Sequence, residues 1–320
     1  MNNLFSKLEK GQFFKLIMGV GNKDLSSIKK LAAIYASAGA DMFDLTADEN
    51  VFDSILEGLE FVKISQDDIL FCVSFSIGKD VHGRKAYIDQ KKCTKCKKCI
   101  KQCPHDAIYF EVEKNKVFIK EEKCIGCAKC DCKAISYKKE EVNVLEKLSV
   151  LYPKYKIDCI EIHLSSFKKE EKELILNIKK KYPTLPIGIC VSRQNFSDKK
   201  ELKLIKEIKE IIAPQKLILQ ADGIAMSGGK DDLVTSLQAV ANANVLQKED
   251  VFILVSGGVN SKTKELAKLL STKINGISVG SYGRLLVKDE LNNEDIWYNT
   301  SVFNSALKKA QILVDSVKKE

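Results

Sequence analysis

The sequence predicts an α/β fold, a TIM-like (β/α)8 barrel into which a small cysteine-rich domain is inserted. Eight apolar runs of strand length alternate with longer helical segments along the 320 residues, which is the count and order of that barrel. Glycine-rich segments follow the last two runs, and they favour the barrel over an open, doubly wound sheet with the same alternation. One long interval, residues 78–156, interrupts the alternation and holds eight of the eleven cysteines.

The eight runs are almost continuously apolar and rich in β-branched residues. This pattern is typical of strands that are buried on both faces in a parallel sheet. The predicted strands are FFKLIMGV (13–20), DMFDLTA (41–47), ILFCVSFSI (69–77), IDCIEIHL (157–164), PIGICVS (186–192), KLILQA (216–221), VFILVSG (251–257) and GISVGS (276–281).

Helical segments lie between these runs, with apolar residues recurring every three or four positions. Asp24 and Ser261 stand where helix N-caps are expected, and Gly39 stands where a helix should stop. The final stretch, residues 299–320, predicts a helix with an apolar stripe that packs on the outside of the barrel.

The cysteine-rich interval divides the chain into three parts. Residues 1–85 form the first part of the barrel with strands one to three, and residues 86–138 form the insert. Residues 139–320 supply strands four to eight and the C-terminal helix. The insert follows a barrel strand, so we expect it to leave from the C-terminal face, where barrel enzymes keep their sites.

The first cysteine run reads CTKCKKCIKQCP (93–104). Its spacing is the C-x2-C-x2-C-x3-C-P run of bacterial ferredoxins, in which three close thiolates bind one cluster and the fourth binds another. A structural zinc site is the alternative, but zinc sites use two separated C-x2-C knuckles. The run therefore predicts iron–sulfur ligands at Cys93, Cys96, Cys99 and Cys103.

The second run, Cys124, Cys127 and Cys130, repeats the first three ligands and predicts a ferredoxin-like module with two clusters. Crossed ligation assigns Cys103 to this run, which completes one [4Fe–4S] cluster. The first run then needs Cys132, which is separated from the second run by Asp131 alone. Three arrangements stay open for the first cluster: Cys132 binds, Asp131 or water binds, or the cluster is a [3Fe–4S] type.

Two groups of residues at the strand ends predict a ligand site in the barrel mouth. Loops after the late strands of such barrels often bind phosphate, and the segment 221–229 is also glycine-rich. The candidates for a phosphate-bearing ligand or flavin are Gly257, Gly258, Ser261, Gly280, Ser281 and Arg284. Glu161 and His163, two residues apart on one strand, point the same way and could perform acid–base work. The alternative is a polar network inside the barrel, shared with Lys15, Asp44, Gln220 and Asp222.

Composition and charge argue against a nucleic-acid-binding protein and against a membrane-spanning protein. The net charge is +9, yet the helices carry mixed charge and no nucleic-acid module is recognisable. No apolar run is long enough for a membrane span, and the first residues lack a secretory leader, so a cytoplasmic location is expected. In that compartment cysteines are metal ligands rather than disulfides. Lysines crowd the first cysteine run and predict an acidic redox protein or electron carrier as partner.

Several motifs together resemble the light-dependent period protein (LdpA) family. They are the run over residues 11–48, HGRKA (82–86), EIH (161–163), ADGIAMSGG (221–229), SGGVN (256–260) and GSYGR (280–284). The resemblance implies an iron–sulfur protein that carries redox information to a circadian clock, with redox sensing at the cysteines of both runs. It implies no catalytic reaction for the barrel.

Two functions therefore stay open. The first is an electron-transfer or redox-sensing protein, and the second is a barrel oxidoreductase whose flavin or phosphate-bearing ligand receives electrons from the clusters. No catalytic base stands beside a substrate clamp in the sequence, and this favours the first.

Overall fold

The computed structural model describes residues 3–139, 141–224 and 231–319 of the chain. Twelve strands lie in these residues, and they form one closed barrel and two small sheets. The strands are β1 (Phe13–Ile17), β2 (Met42–Thr46), β3 (Leu70–Ser76), β4 (Lys85–Ile88), β5 (Ile108–Glu111), β6 (Lys116–Ile119), β7 (Ile135–Lys138), β8 (Cys159–His163), β9 (Ile187–Ser192), β10 (Ile218–Asp222), β11 (Phe252–Ser256) and β12 (Gly276–Val279).

The barrel closes in the order β1-β12-β11-β10-β9-β8-β3-β2, and every pairing in it is parallel. All eight predicted strands are confirmed, and the pairing of β1 with both β2 and β12 excludes the open sheet. The insert leaves after β3, so it stands over the C-terminal face of the barrel as predicted.

Helices connect the strands and cover the barrel. They are α1 (Asn3–Glu9), α2 (Leu25–Ser37), α3 (Glu49–Phe61), α4 (Lys98–Gln102), α5 (Val144–Leu151), α6 (Lys169–Lys181), α7 (Asp198–Ile212), α8 (Leu233–Leu246), α9 (Thr263–Leu269), α10 (Ser281–Leu286), α11 (Lys288–Leu291), a 3-10 turn (Glu294–Trp297) and α12 (Thr300–Lys318). None of these helices, within the described ranges, is long and apolar enough to cross a membrane.

Two of the three predicted helix boundaries are confirmed. The Asp24 side chain accepts from Ser27 N at the start of α2, and Gly39 adopts φ +87° just past its end, as a left-handed terminating residue does. The prediction for Ser261 is wrong. Asn260 Oδ1 accepts from Lys262 N at 2.9 Å, while the Ser261 hydroxyl turns away and donates to Asp231 at 2.5 Å.

The apolar core lies between the barrel strands and the helices around them. On β1, Phe14 and Leu16 contribute to that layer, whereas the alternate residues face the interior of the barrel. The helix α12 buries Ala306, Ala310 and Leu313 against the same layer, which confirms its predicted place outside the barrel.

The insert has a small core of its own. β4 and β7 pair antiparallel and hold its two ends together, and β5 and β6 form a hairpin. Ala86, Ala107, Ile108 and Val117 pack against buried cysteines in the middle. The boundaries at residues 86 and 138 stay a prediction.

Glu201 in α7 gives a pH-dependent prediction. Its side chain is fully buried, and Asn242 Nδ2 donates to Oε1 at 3.2 Å. Burial raises the pKa of Glu201 to about 7, despite that hydrogen bond. Protonated Glu201 therefore stabilises the fold below its unfolded pKa of about 4.3, and this contribution is lost as the pH rises towards 7.

Replacing Glu201 with glutamine removes that loss. We expect Glu201→Gln to increase the free energy of unfolding relative to the native protein by about 1–3 kcal/mol at pH 8, and by much less at pH 5. Urea unfolding at both pH values measures the difference. An effect of the same size at both would contradict the prediction.

Candidate functional site

The two cysteine runs share the same backbone conformation around their middle cysteine. In the first, Lys95 and Lys97 flank Cys96 and both have φ +59°; in the second, Gly126 and Ala128 flank Cys127 with φ +67° and +58°. Left-handed residues on both sides of the middle cysteine turn successive backbone N–H groups inward, which makes a nest for negative charge. The internal repeat read from the sequence is therefore present in the backbone.

The cysteines also form two groups in space. Burial raises the pKa of the Cys99 thiol, and the nearby Cys132 and Cys93 raise it further. Burial likewise raises the pKa of Cys127. Among the neighbouring thiols, Cys103 raises that pKa most, followed by Cys130 and Cys124. Such influences act over short distances, so Cys132 lies with the first run and Cys103 with the second.

This donor set fits iron–sulfur clusters better than a single zinc ion. Four thiolates around one zinc, at Zn–S distances near 2.3 Å, would lie about 3.8 Å apart. Among the described residues, no three thiols of the insert gather within 4.8 Å of one another. A cubane requires the wider spacing, because each thiolate binds a different iron atom.

The two groups differ in their exposure. Cys96 is exposed, and exposed lysines surround the first run: Lys91, Lys92, Lys95, Lys97, Lys98 and Lys101. In the second run Cys124 and Cys130 are each only 8% exposed, and Cys130 Sγ lies 3.1 Å from the Tyr137 hydroxyl. Cys99 of the first group is also buried, so the two groups differ in one respect: the first has an exposed cysteine, Cys96, and the second has none.

Two basic residues fix the second run to the barrel. Arg84 Nε donates to Gly126 O at 2.9 Å, and its guanidinium lies over the Tyr137 ring at 4.7 Å. Lys85 Nζ donates to Gly21 O in the β1 loop and to Cys124 O in the insert. A side chain at position 126 would meet Arg84 O at 2.2 Å, so only glycine fits there.

A small cavity of about 70 Å³ opens in the barrel mouth beside the insert. Of the predicted phosphate-loop residues, five line it: Gly257, Gly258, Gly280, Ser281 and Arg284. Ser261 is not among the lining residues, because its hydroxyl bonds to Asp231. Residues 225–229 of the third predicted loop lie outside the described part of the chain.

The insert takes part in this cavity. Ile125, between two cysteines of the second run, lines it together with Arg284. Arg284 Nη1 donates to Ile17 O at 2.6 Å. Burial lowers the pKa of Arg284 to about 10, while Tyr35 and Cys127 act to raise it. A guanidinium that stays charged at neutral pH therefore lies beside both the cavity and the second cysteine group.

The polar residues predicted at the mouth occupy two depths. Lys15, Asp44 and Glu161 lie inside the barrel, where Lys15 Nζ is 2.6 Å from Glu161 Oε2 and 3.0 Å from Asp44 Oδ2. Gln220 connects the barrel interior with the cavity, because its Oε1 accepts a hydrogen bond from Lys15 Nζ at 3.1 Å and its side chain lines the cavity. His163 also lines the cavity, so the Glu161–His163 pair spans both levels.

One lysine faces two carboxylates in the deeper network. Burial acts to lower the pKa of Lys15, but Asp44 and Glu161 outweigh it and raise the pKa overall. Burial opposes ionisation of Glu161, yet Lys15 and His163 lower its pKa. Glu161 is therefore an ion-pair partner of Lys15, and its assignment as an acid–base residue stays a prediction.

Asp80, in the loop after β3, is a polar residue of the barrel mouth that the sequence did not predict. It accepts hydrogen bonds from the Ser76 hydroxyl at 2.7 Å and from His82 N at 3.0 Å. Its signal was the D-x-H spacing in KDVHG (79–83), which follows β3 directly.

Comparisons with known proteins bear on both parts of the chain. Residues 85–133 match the family model described as a 4Fe-4S dicluster domain. A curated relative, "Light dependent period A" of Synechococcus elongatus, is 37% identical over 105 residues. That alignment covers 32% of this chain and 30% of the relative, so the chain spans less than a third of that protein's length.

Solved structures give weaker similarity. The YdjI aldolase from Escherichia coli K12 is 7% identical with a TM-score of 0.48, over 96% of this chain and 90% of that one. Mycobacterium tuberculosis tryptophan synthase is 9% identical with a TM-score of 0.49, over 100% and 99%.

The family of the chain follows from its second half. Residues 151–318 match the family model described as the light dependent period A C-terminal domain, which is more than half of the 320 residues. The motif resemblance read from the sequence points to the same family. This chain belongs to the light dependent period A family.

Proposed function

We propose that this iron–sulfur protein transfers electrons or senses redox state through two clusters of different exposure. Cys103, Cys124, Cys127 and Cys130 would hold one [4Fe–4S] cluster. Cys93, Cys96, Cys99 and Cys132 would hold the other, as a [4Fe–4S] or a [3Fe–4S] cluster. The observation that carries the proposal is the match of residues 85–133 to a 4Fe-4S dicluster domain, and the influence of Cys132 on Cys99 and of Cys103 on Cys127 supports the ligand assignment. The link to a circadian clock stays a prediction.

The exposed group is the better point of electron entry. Cys96 is exposed among lysines. Their positive charge favours the reduced, more negative state of the cluster, and it attracts an acidic partner. The buried group is the better sensor, because Ile125 and Arg284 connect it to the barrel mouth. Electrons would pass from the surface to the inner cluster. The change in charge of that cluster would alter its electrostatic interaction with Arg284.

The second candidate is a barrel oxidoreductase fed by the clusters. Ile125 supports it, because a residue flanked by cluster cysteines lines the cavity where a ligand would bind. The electron-transfer or sensing role is the better supported, because the match of residues 85–133 to a 4Fe-4S dicluster domain concerns the clusters themselves.

Reversing charge beside the exposed cysteine tests the proposal. In the triple variant Lys95→Glu, Lys98→Glu and Lys101→Glu, we expect reduction by an acidic electron donor to slow at least about tenfold at low salt. The difference should shrink as ionic strength rises, because screening weakens the attraction. Stopped-flow spectroscopy of anaerobically purified protein measures the rate, and EPR with iron and sulfide analysis counts the clusters.

The matched control carries the same substitutions at Lys169, Lys199 and Lys203, exposed residues of α6 and α7. It should retain the native rate. Equal slowing in both variants would show that net charge matters and the patch does not. Clusters that no donor reduces would contradict the redox role itself.

A further inference from the structure

We propose that Asp80, His82 and His163, with Asp222 beside them, bind a single divalent transition-metal ion in the barrel mouth. This site is separate from the two cysteine groups and uses none of their residues. Its chemistry is two imidazoles and one or two carboxylates, a donor set that suits Zn²⁺ or Fe²⁺.

The donors already lie close enough for one ion. Asp80, His82 and His163 each offer a ligand atom, and the three atoms lie within 4.8 Å of one another. The imidazole rings of His82 and His163 are 4.4 Å apart between centroids. His82 and His163 come from segments more than seventy positions apart in the chain, so the barrel fold assembles the site.

His163 is the donor that most lacks a partner. Its side chain is 96% buried, since its exposed fraction is 4%. Neither ring nitrogen makes a well-aligned hydrogen bond to the described residues, although Nε2 lies 3.3 Å from Glu161 Oε1 and a ring nitrogen lies within 4.8 Å of Cys190 Sγ. A buried polar group without a hydrogen bond is costly. A bound ion would satisfy one nitrogen while Glu161 orients the ring, as carboxylates do behind metal-bound histidines.

Asp80 is held in place by its own hydrogen bonds. Oδ1 accepts from the Ser76 hydroxyl at 2.7 Å and from His82 N at 3.0 Å, and it lies 2.8 Å from His82 Nδ1. The carboxylate is therefore oriented before any ion arrives, which is the support that a metal ligand needs. Displacing the His82 proton on binding would make the ion compete with protons.

The local charge favours a dication. Four buried carboxylates lie in this part of the barrel, those of Asp44, Asp80, Glu161 and Asp222, and Lys15 pairs with two of them. Burial raises the pKa of Asp222, and the attraction of His82 and His163 only partly opposes it. Burial acts to lower the pKa of His163, but Cys190 and Glu161 outweigh it and raise the pKa overall. A bound dication would take the place of the proton on His163.

The site has a route to solvent. His82, His163 and Asp222 line the mouth cavity, so a bound ion would face it. A second close group, Glu161, His163 and Cys190, is completely buried. Glu161 there is committed to Lys15 at 2.6 Å, so the group containing Asp80 is the better site.

Titration with Mn²⁺ tests this site without interference from cluster iron. Anaerobic full-length protein is dialysed against a mild chelator, and its iron and sulfide are measured to confirm that the clusters remain. Room-temperature EPR then counts free Mn²⁺, because iron–sulfur clusters give no signal at that temperature. We expect one bound Mn²⁺ per chain, displaced by a lower concentration of Zn²⁺.

Substitutions of the histidines test whether they bind the ion. His82→Asn and His163→Gln should each weaken Mn²⁺ binding at least about tenfold. His105→Asn, which alters the remaining histidine of the chain, should leave it unchanged. If His163→Gln fails to fold, Asp80→Asn replaces it. Unaltered binding in the His82→Asn/Asp80→Asn double variant, or no Mn²⁺ and no Zn²⁺ bound at all, would overturn the proposal. Loss of clusters would appear separately in the iron content and the visible spectrum.

Discussion

Replacing Cys103 with alanine is expected to remove one complete cluster and leave the other. Its neighbours among the thiols are those of the second run, Cys127 and Cys130. Three thiolates in that buried position would leave one iron without a ligand, and the small apolar core around it offers no substitute. Iron should fall by about four atoms per chain, the content of one [4Fe–4S] cluster. Iron and sulfide analysis of anaerobically purified protein measures the loss.

Cys132→Ala distinguishes the two ends of the insert. It should affect only the exposed cluster, converting it to a [3Fe–4S] type that EPR detects in the oxidised state, with a loss of about one iron atom. Cys190→Ala is the matched control, since Cys190 is buried in β9 outside both groups. If Cys103→Ala and Cys132→Ala depleted the same cluster, the crossed ligand assignment would be wrong.

Replacing Lys15 with methionine is expected to reduce the free energy of unfolding by about 3–5 kcal/mol. Lys15 is 1% exposed and lies between Asp44 and Glu161 in the barrel interior. Methionine fills similar space but leaves two buried carboxylates without their counter-charge. Urea unfolding under anaerobic conditions, followed by far-ultraviolet circular dichroism, measures the change.

An exposed pair gives the comparison. Lys169 lies 3.7 Å from Glu173 with 84% of its side chain exposed, so Lys169→Met should cost less than about 1 kcal/mol. Adding Glu161→Gln to Lys15→Met should restore part of the lost stability, because it removes one of the stranded charges. A cost for Lys15→Met no larger than that of Lys169→Met would show that water reaches the interior of the barrel.

The barrel was predictable because its strands are buried on both faces. A run such as FFKLI or FILVS is almost continuously apolar for that reason, and eight such runs leave few alternatives to closure. The cysteine runs were predictable because ligand spacing is local along the chain. The crossing rule of two-cluster ferredoxins also assigns Cys132 to the first run, and this ligand assignment stays a prediction.

The barrel mouth was harder to predict, because long-range contacts decide it. Ser261 looked like an N-cap, but Asn260 makes the turn bond and Asp231 takes the Ser261 hydroxyl. The sequence left Glu161 either as an acid–base residue or as part of a polar network inside the barrel, and the contact with Lys15 of β1 favours the network. Asp80 gave only a weak local pattern, and its meaning depends on His163 from a distant strand.

The left-handed residues around the middle cysteines bear on how the two clusters are assembled. Gly126 adopts its positive φ without cost, whereas Lys95, at the matching place in the first run, carries a side chain that disfavours it by about 1–2 kcal/mol. An empty first loop gains by relaxing out of shape, while the glycine-bearing loop has less reason to do so. Maturation should therefore fill the inner position first, and the outer cluster should be the first to leave when iron becomes scarce.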